Sequence, residues 1–154
     1  MDDSFDELAR MPGDLERLAA ELPEDAARRR PHDDAFAFVE HVWHLADLER
    51  EGFAERIRRL LSESSPVLPD FDGARIARER DYRSLALAEG LATFTRARAA
   101  NVTTLRSCSA ADRARGGTQE GVGSVTLGEI PGRMLEHDRS HRGEIEELCR
   151  WIRS

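Results

Sequence analysis

Leu127-Gly128-Glu129-Ile130-Pro131-Gly132-Arg133-Met134-Leu135-Glu136-His137-Asp138-Arg139-Ser140-His141-Arg142-Gly143-Glu144-Ile145-Glu146-Glu147-Leu148-Cys149-Arg150-Trp151-Ile152 is the stretch that decides the fold. Leu127, Ile130, Met134, His137, His141, Ile145, Leu148 and Ile152 follow one another at steps of three or four, which is the spacing of one helix face. The face is apolar except at two imidazoles four residues apart, whose Cβ atoms stand about 5 to 6 Å from each other on a helix. A neutral imidazole in a core stripe needs an acceptor, an acid or a cation to satisfy it. Metal coordination meets that need for both rings at once.

A third ring comes from Glu40-His41-Val42-Trp43-His44-Leu45-Ala46-Asp47-Leu48-Glu49, where His44 and Leu48 share the inward side of a second helix. Three neutral nitrogens with an open position are the donor set of a catalytic zinc site rather than a structural one. Imidazoles also suit nickel, iron and copper, and zinc and nickel are the leading expectations. The competing reading is a metal-free bundle in which His137 and His141 are buried against Asp or Glu of neighbouring helices. His41 lies one turn before His44, and spacing alone asks only that one second-helix histidine complete the three. His32 is expected in solvent.

The rest of the chain reads as further helices. Phe5, Leu8, Met11, Leu15, Leu18 and Leu22 form a first apolar stripe, with Pro12 and Gly13 as a point of bending or interruption. A connection runs through Arg28-Arg29-Arg30-Pro31; Asp33 or Asp34 is placed to cap the second helix, which should end near Leu61. Ser64 to Gly73 is too rich in turn formers to be helical. Helix resumes from Ala74 to about Ser107 around Leu87, Leu91, Phe94, Val102 and Leu105, with a break at Tyr82. Gly116, Gly117, Gly121 and Gly123 make Arg115 to Val125 a flexible crossing loop. Thr126 and Glu129 fit a capping box for the last helix, whose start Pro131 distorts. With hardly any strand pattern, the expectation is an all-α four-helix bundle in a single domain, 1–154.

Composition narrows the function. The formal net charge is −7 and all 23 basic residues are arginine, so the concentrated positive field that nucleic acid requires is missing. The lysine-free composition suggests a GC-rich bacterial genome. No apolar run is long enough for a membrane span, and the acidic beginning Met1-Asp2-Asp3-Ser4-Phe5-Asp6 is unlike a secretory signal, so a cytoplasmic location is expected. Cys108 and Cys149 form no close pair and are expected as reduced packing residues.

Phe38-Val39-Glu40-His41-Val42-Trp43-His44-Leu45-Ala46-Asp47-Leu48-Glu49-Arg50 and His137-Asp138-Arg139-Ser140-His141-Arg142-Gly143-Glu144-Ile145 resemble the two signature helices of the DinB-like superfamily. Pro66 to Gly73 and the Gly-rich approach to Val125-Thr126-Leu127 extend the resemblance over nearly the whole chain. It implies an up-down-down-up bundle with one divalent metal on His44, His137 and His141, and it gives His41 no ligand role. It implies no polymerase. Relatives of this kind include S-transferases that use thiols such as bacillithiol or mycothiol, and a mycothiol-dependent maleylpyruvate isomerase. In such chemistry the metal favours the thiolate of a low-molecular-weight thiol.

Three functions follow as expectations: a metal-dependent thiol transferase, a metal-dependent hydrolase, or a non-catalytic metal-stabilised bundle for binding or stress response. Asp47 and Asp138 accompany the ligand positions and are the leading carboxylates for a catalytic or ligand-orienting role, ahead of Glu40 and Glu49. A small-molecule substrate and a homodimer are expected, and Trp43 and Trp151 are read as packing residues.

Overall fold

The architecture is that of a computed structural model describing residues 2–23 and 25–154. Its helices are α1 (Asp2–Glu21), α2 (Phe38–Asp47), α3 (Ala54–Ser62), α4 (Gly73–Glu79), α5 (Leu87–Arg106), α6 (Ala110–Arg113) and α7 (Ile130–Arg153). A π-helical turn, Leu48–Phe53, joins α2 to α3 into one long rod, so four rods make the bundle. Among the described residues no helix is long and apolar enough to cross a membrane.

Side-chain pairs fix the directions. Glu7 meets Arg139 and Glu21 meets Arg153, so α1 and α7 run parallel. Asp6 meets Arg106 and Glu16 meets Thr95, so α5 opposes α1. His41 faces His141 and His44 faces His137, so α2 opposes α7. The order is up, down, down, up, with a long connection between the two parallel middle rods.

The apolar side chains fall into two clusters. Phe5, Leu8, Leu48, Val102, Ile130 and Met134 belong to one, and Met11, Leu15, Phe38, Leu45, Phe94 and Ile145 to the other. Every rod switches from one cluster to the other at the same level, and there α5, α7 and the π turn bury polar side chains while α1 offers a backbone carbonyl. Arg98 of α5 sits at the centre, donating to both oxygens of Asp138 on α7 at 2.7 and 2.8 Å, to Glu49 of the π turn at 2.9 Å and to the Leu8 carbonyl of α1 at 2.9 Å. Asn101 donates to the second Glu49 oxygen at 2.8 Å. The π turn makes this layer reachable. It carries one residue more than an α turn, seen as the step of five from buried Leu48 to buried Phe53, and it sends Glu49 into the core.

Four details depart from the sequence expectations. The glycine-rich stretch is an ordered hairpin, not a flexible loop: β2 (Gly116–Gln119) pairs antiparallel with β3 (Gly123–Thr126), and β1 (Val67–Leu68) adds a parallel strand. Gly121 and Gly123 supply the positive φ angles, +78° and +106°, of its turn. Arg115 anchors the hairpin on the end of α3 by donating to the Leu60 and Glu63 carbonyls at 2.6 and 3.2 Å. Neither Asp33 nor Asp34 caps α2; Glu40 turns back to accept from the Ala37 amide at 2.9 Å, held by Arg30. Thr126 bonds the Glu129 carboxylate at 3.0 Å rather than a backbone amide, through a 3-10 turn that lets Pro131 sit in the first turn of α7. Pro12 does not end α1.

Replacing Arg98 by methionine should leave the buried carboxylates of Asp138 and Glu49 uncompensated and cost about 3 to 5 kcal/mol, read by urea unfolding. A loss under about 1 kcal/mol would show that the layer does not hold the bundle together.

Candidate functional site

The four histidines of the two helical clusters meet between α2 and α7. One ring nitrogen each from His44, His137 and His141 lies within 4.8 Å of the other two. His44 Nε2 and His137 Nε2 stand 3.2 Å apart, and the His137 and His141 ring centres 4.5 Å apart. Two imidazole nitrogens on one tetrahedral zinc ion are separated by about 3.3 Å, so the spacing suits a shared cation. With Nε2 turned to His137, the other nitrogen of His44, Nδ1, lies on the Gly73 side of the ring, buried with no hydrogen-bond partner.

Local packing explains how the rings reach one point. His44 is 8% exposed and is flanked by Phe36 and Phe71, while Phe53 packs its edge against His137. Gly73, the first residue of α4, allows the approach, because a Cβ there would stand 2.5 Å from His44 Cε1. This contribution was not read from the sequence; the signal was only a glycine closing a turn-rich stretch.

These apolar walls set the electrostatics. Burial, then the neighbouring imidazoles, hold His44 at about 3, and burial, then His141 and Arg98, hold His137 at about 3. His41 lies at about 3 for the same first reason, and burial also lowers His141, opposed by Glu144 and Asp138. The rings are therefore neutral near pH 7, with lone pairs free for a cation and no proton to displace.

The two carboxylates singled out by sequence are in place beside the histidines but engaged elsewhere. Asp47 accepts from Arg50 at 2.6 Å, Arg80 at 2.7 Å and the Tyr82 hydroxyl at 2.5 Å. Asp138 is held by Arg98. Glu49 lies in the same network and Glu40 in a separate pair with Arg30. Sequence reading missed two participants. His41 is 2% exposed, with Nδ1 at 3.0 Å from His141 Nδ1, and Glu144 reaches to 3.9 Å from His41 Nε2.

A cavity of about 640 Å³ opens onto this cluster, with His41 and His141 in its wall together with Phe36, Asp34, Glu144, Glu147 and Trp151. Its size is that of small-molecule sites. Trp151, expected to pack, is 39% exposed there, with the Arg29 guanidinium over its ring. Trp43 does pack, donating to the Ala86 carbonyl at 3.0 Å against Gly90. Cys108 and Cys149 are buried free thiols, pushed up by burial, and His32 is exposed.

Comparison with known proteins agrees with this geometry. The family model of the DinB superfamily matches residues 7–145. The chain belongs to that superfamily. Among solved structures it is similar to YfiT from Bacillus subtilis, described as "a probable metal-dependent hydrolase with an unusual four-helix bundle topology". The TM-score is 0.88 at 20% identity, over 98% of this chain and 86% of that one. No curated protein matches by sequence. The shared fold is the up-down-down-up bundle described above.

The depressed histidines make acid stability a direct test. In the unfolded chain these rings take up protons near pH 6.5, whereas the folded metal-free protein resists protonation until about pH 3. The stability they contribute is complete above about pH 6.5 and falls between there and pH 3, by up to about 1.4 kcal/mol per pH unit for each ring. Urea unfolding at pH 7, 5.5 and 4.5 should show a steep decline that is shallower in a His44→Ala, His137→Ala double variant. Equal slopes would mean that the rings are not desolvated.

Proposed function

We propose that this DinB-superfamily protein is a divalent-metal-dependent enzyme in which His44, His137 and His141 hold the ion and a small molecule enters through the adjacent cavity. The observation that carries the reading is the convergence of three neutral imidazoles, one of which, His141, stands in the cavity wall. Zinc or nickel suits three imidazoles. When bound, such an ion supplies Lewis acidity, which makes water or a thiol nucleophilic at neutral pH.

The nucleophile comes from outside the chain. Cys108 and Cys149 are buried in the apolar clusters, and Ser140 faces solvent between the two ligand positions. Asp47 and Asp138 have their oxygens occupied by arginines and Tyr82, so they act by orienting and charging the site and take no proton from substrate. A low-molecular-weight thiol fits such a site, because a thiol ionises more readily than water and asks less of a base. Asp34, Glu144 and Glu147 on the cavity wall repel anions and favour an uncharged carrier such as mycothiol over one bearing carboxylates.

Hydrolysis is the second reading, and Glu144 favours it. This carboxylate stands on the cavity wall with a 58% exposed side chain and its nearest basic nitrogen, His41 Nε2, at 3.9 Å, free to take a proton from water.

Elemental analysis of protein prepared without a histidine tag should find about one zinc or nickel per chain, lost in His44→Ala and His137→Ala. Metal-free wild type, even after reconstitution, would overturn the enzyme reading. Gly73→Ala should weaken zinc binding roughly tenfold by displacing the His44 ring, the scale seen for changes that misorient a ligand. With metal in place, Glu144→Gln separates the nucleophiles: hydrolysis should fall by 10²-fold or more, the scale for a general base, and thiol transfer should change little.

A further inference from the structure

The closest contact of the fourth histidine is with a proposed ligand. His41 Nδ1 lies 3.0 Å from His141 Nδ1, with the rings near perpendicular at 78°. His41 is held rigidly: it is 2% exposed, sits mid-helix in α2 and has the edge of Phe36 against it at 5.4 Å. Two neutral imidazole nitrogens at that distance must share one proton, so one ring donates and the other accepts. There are two ways to do it, and they are not equivalent for the site.

We propose that His41 is a positioning residue that accepts a hydrogen bond from His141 Nδ1–H and so fixes His141 in the tautomer whose Nε2 is bare and aimed at the ion. The inference rests on the metal reading above. With Nδ1 of His141 engaged by His41, Nε2 is the nitrogen left for the set with His44 and His137, whose ring centres are 4.7 and 4.5 Å away. The opposite arrangement, His41 Nδ1–H donating to His141, puts the His141 proton on Nε2 and removes that ring as a ligand.

Ligand imidazoles ordinarily donate their free N–H to a carboxylate or a carbonyl. Here the nearby carboxylate of Asp138 is bound on both oxygens by Arg98, and a second imidazole takes its place. Once His41 accepts at Nδ1, its own proton is on Nε2, which faces the Glu144 carboxylate at 3.9 Å and the cavity. The result is an ordered line, Glu144 to His41 to His141, in which the negative end strengthens the basicity of the last nitrogen. The line also gives the cavity wall one N–H donor, suited to a carbonyl or phosphoryl oxygen of the substrate.

The test is zinc titration of the full chain by competition with a chromophoric chelator, together with long-range proton–nitrogen spectra of the imidazoles. Wild type loaded with zinc should show His141 protonated at Nδ1 and His41 protonated at Nε2. His41→Phe keeps the bulk but has no acceptor and should lose 10- to 100-fold in zinc affinity; His41→Asn, whose Oδ1 stands near the place of Nδ1, should recover most of it. Circular dichroism checks folding, and the wild-type spectra decide the tautomer should the phenylalanine variant not fold. Wild-type affinity in His41→Phe, a proton on His41 Nδ1, or a second zinc bound through His141 Nδ1 would overturn the proposal while leaving the metal reading intact. No zinc uptake by folded wild type overturns both.

Discussion

The bidentate pairing of Arg98 with Asp138, deep between four rods, is the interaction on which the remainder depends. A guanidinium on a residue 1% exposed is costly to desolvate, and Arg98 offsets that cost with four hydrogen bonds from its two terminal nitrogens, Nε alone having no partner. Its partners come from α7, the π turn and the α1 backbone, while Arg98 itself belongs to α5. Satisfying it therefore fixes the axial register of all four rods. Apolar side chains alone tolerate sliding by a turn, since one leucine-rich face fits another in several registers. A fork-shaped cation with three acceptors does not.

That register serves the histidines. His137 precedes Asp138 directly, so the residue locked to Arg98 also sets where the proposed ligand helix stands against α2. The charge balance matters as well. Arg98 is flanked by two carboxylates, Glu49 and Asp138, and buried Arg56 also acts on His137, so the charges beside the neutral imidazoles are balanced within the interior.

Much of this was legible in the sequence, for definite reasons. The four rods follow from stripes at steps of three and four, and the meeting of a second-helix histidine with His137 and His141 follows from imidazoles interrupting two of those stripes. The hairpin was not legible because its short strands, Gly116–Gln119 and Gly123–Thr126, are dominated by glycine and polar residues; pairing with β1 and the Arg115 anchor order them, and neither has a local signature. The π turn left one faint trace, the step of five between Leu48 and Phe53. The roles of Arg98, Gly73 and His41 depend on which rods become neighbours. Helical spacing cannot supply that: His41 and His44 are equally good histidines on one rod, and only the position of α7 separates the one facing His137 from the one facing His141 Nδ1.

The division of labour between rods and connections bears on what such a bundle can bind. The polar layer and the proposed ligands lie on α2, the π turn, α5 and α7, the rigid part of the molecule. The cavity is lined from both sides: Pro31, His32, Asp34, Ala35 and Phe36 come from the connection before α2 and Ala74 from the start of α4, facing His41 of α2 and the α7 residues from His141 to Trp151. Connections accept substitution and insertion more readily than rods, because they contribute little to the core. Changing the 31–36 segment would therefore reshape one side of the cavity while leaving Arg98, Asp138 and the three convergent imidazoles in register. A fold shared at 20% identity with another protein shows that most side chains can change while the rods keep one geometry.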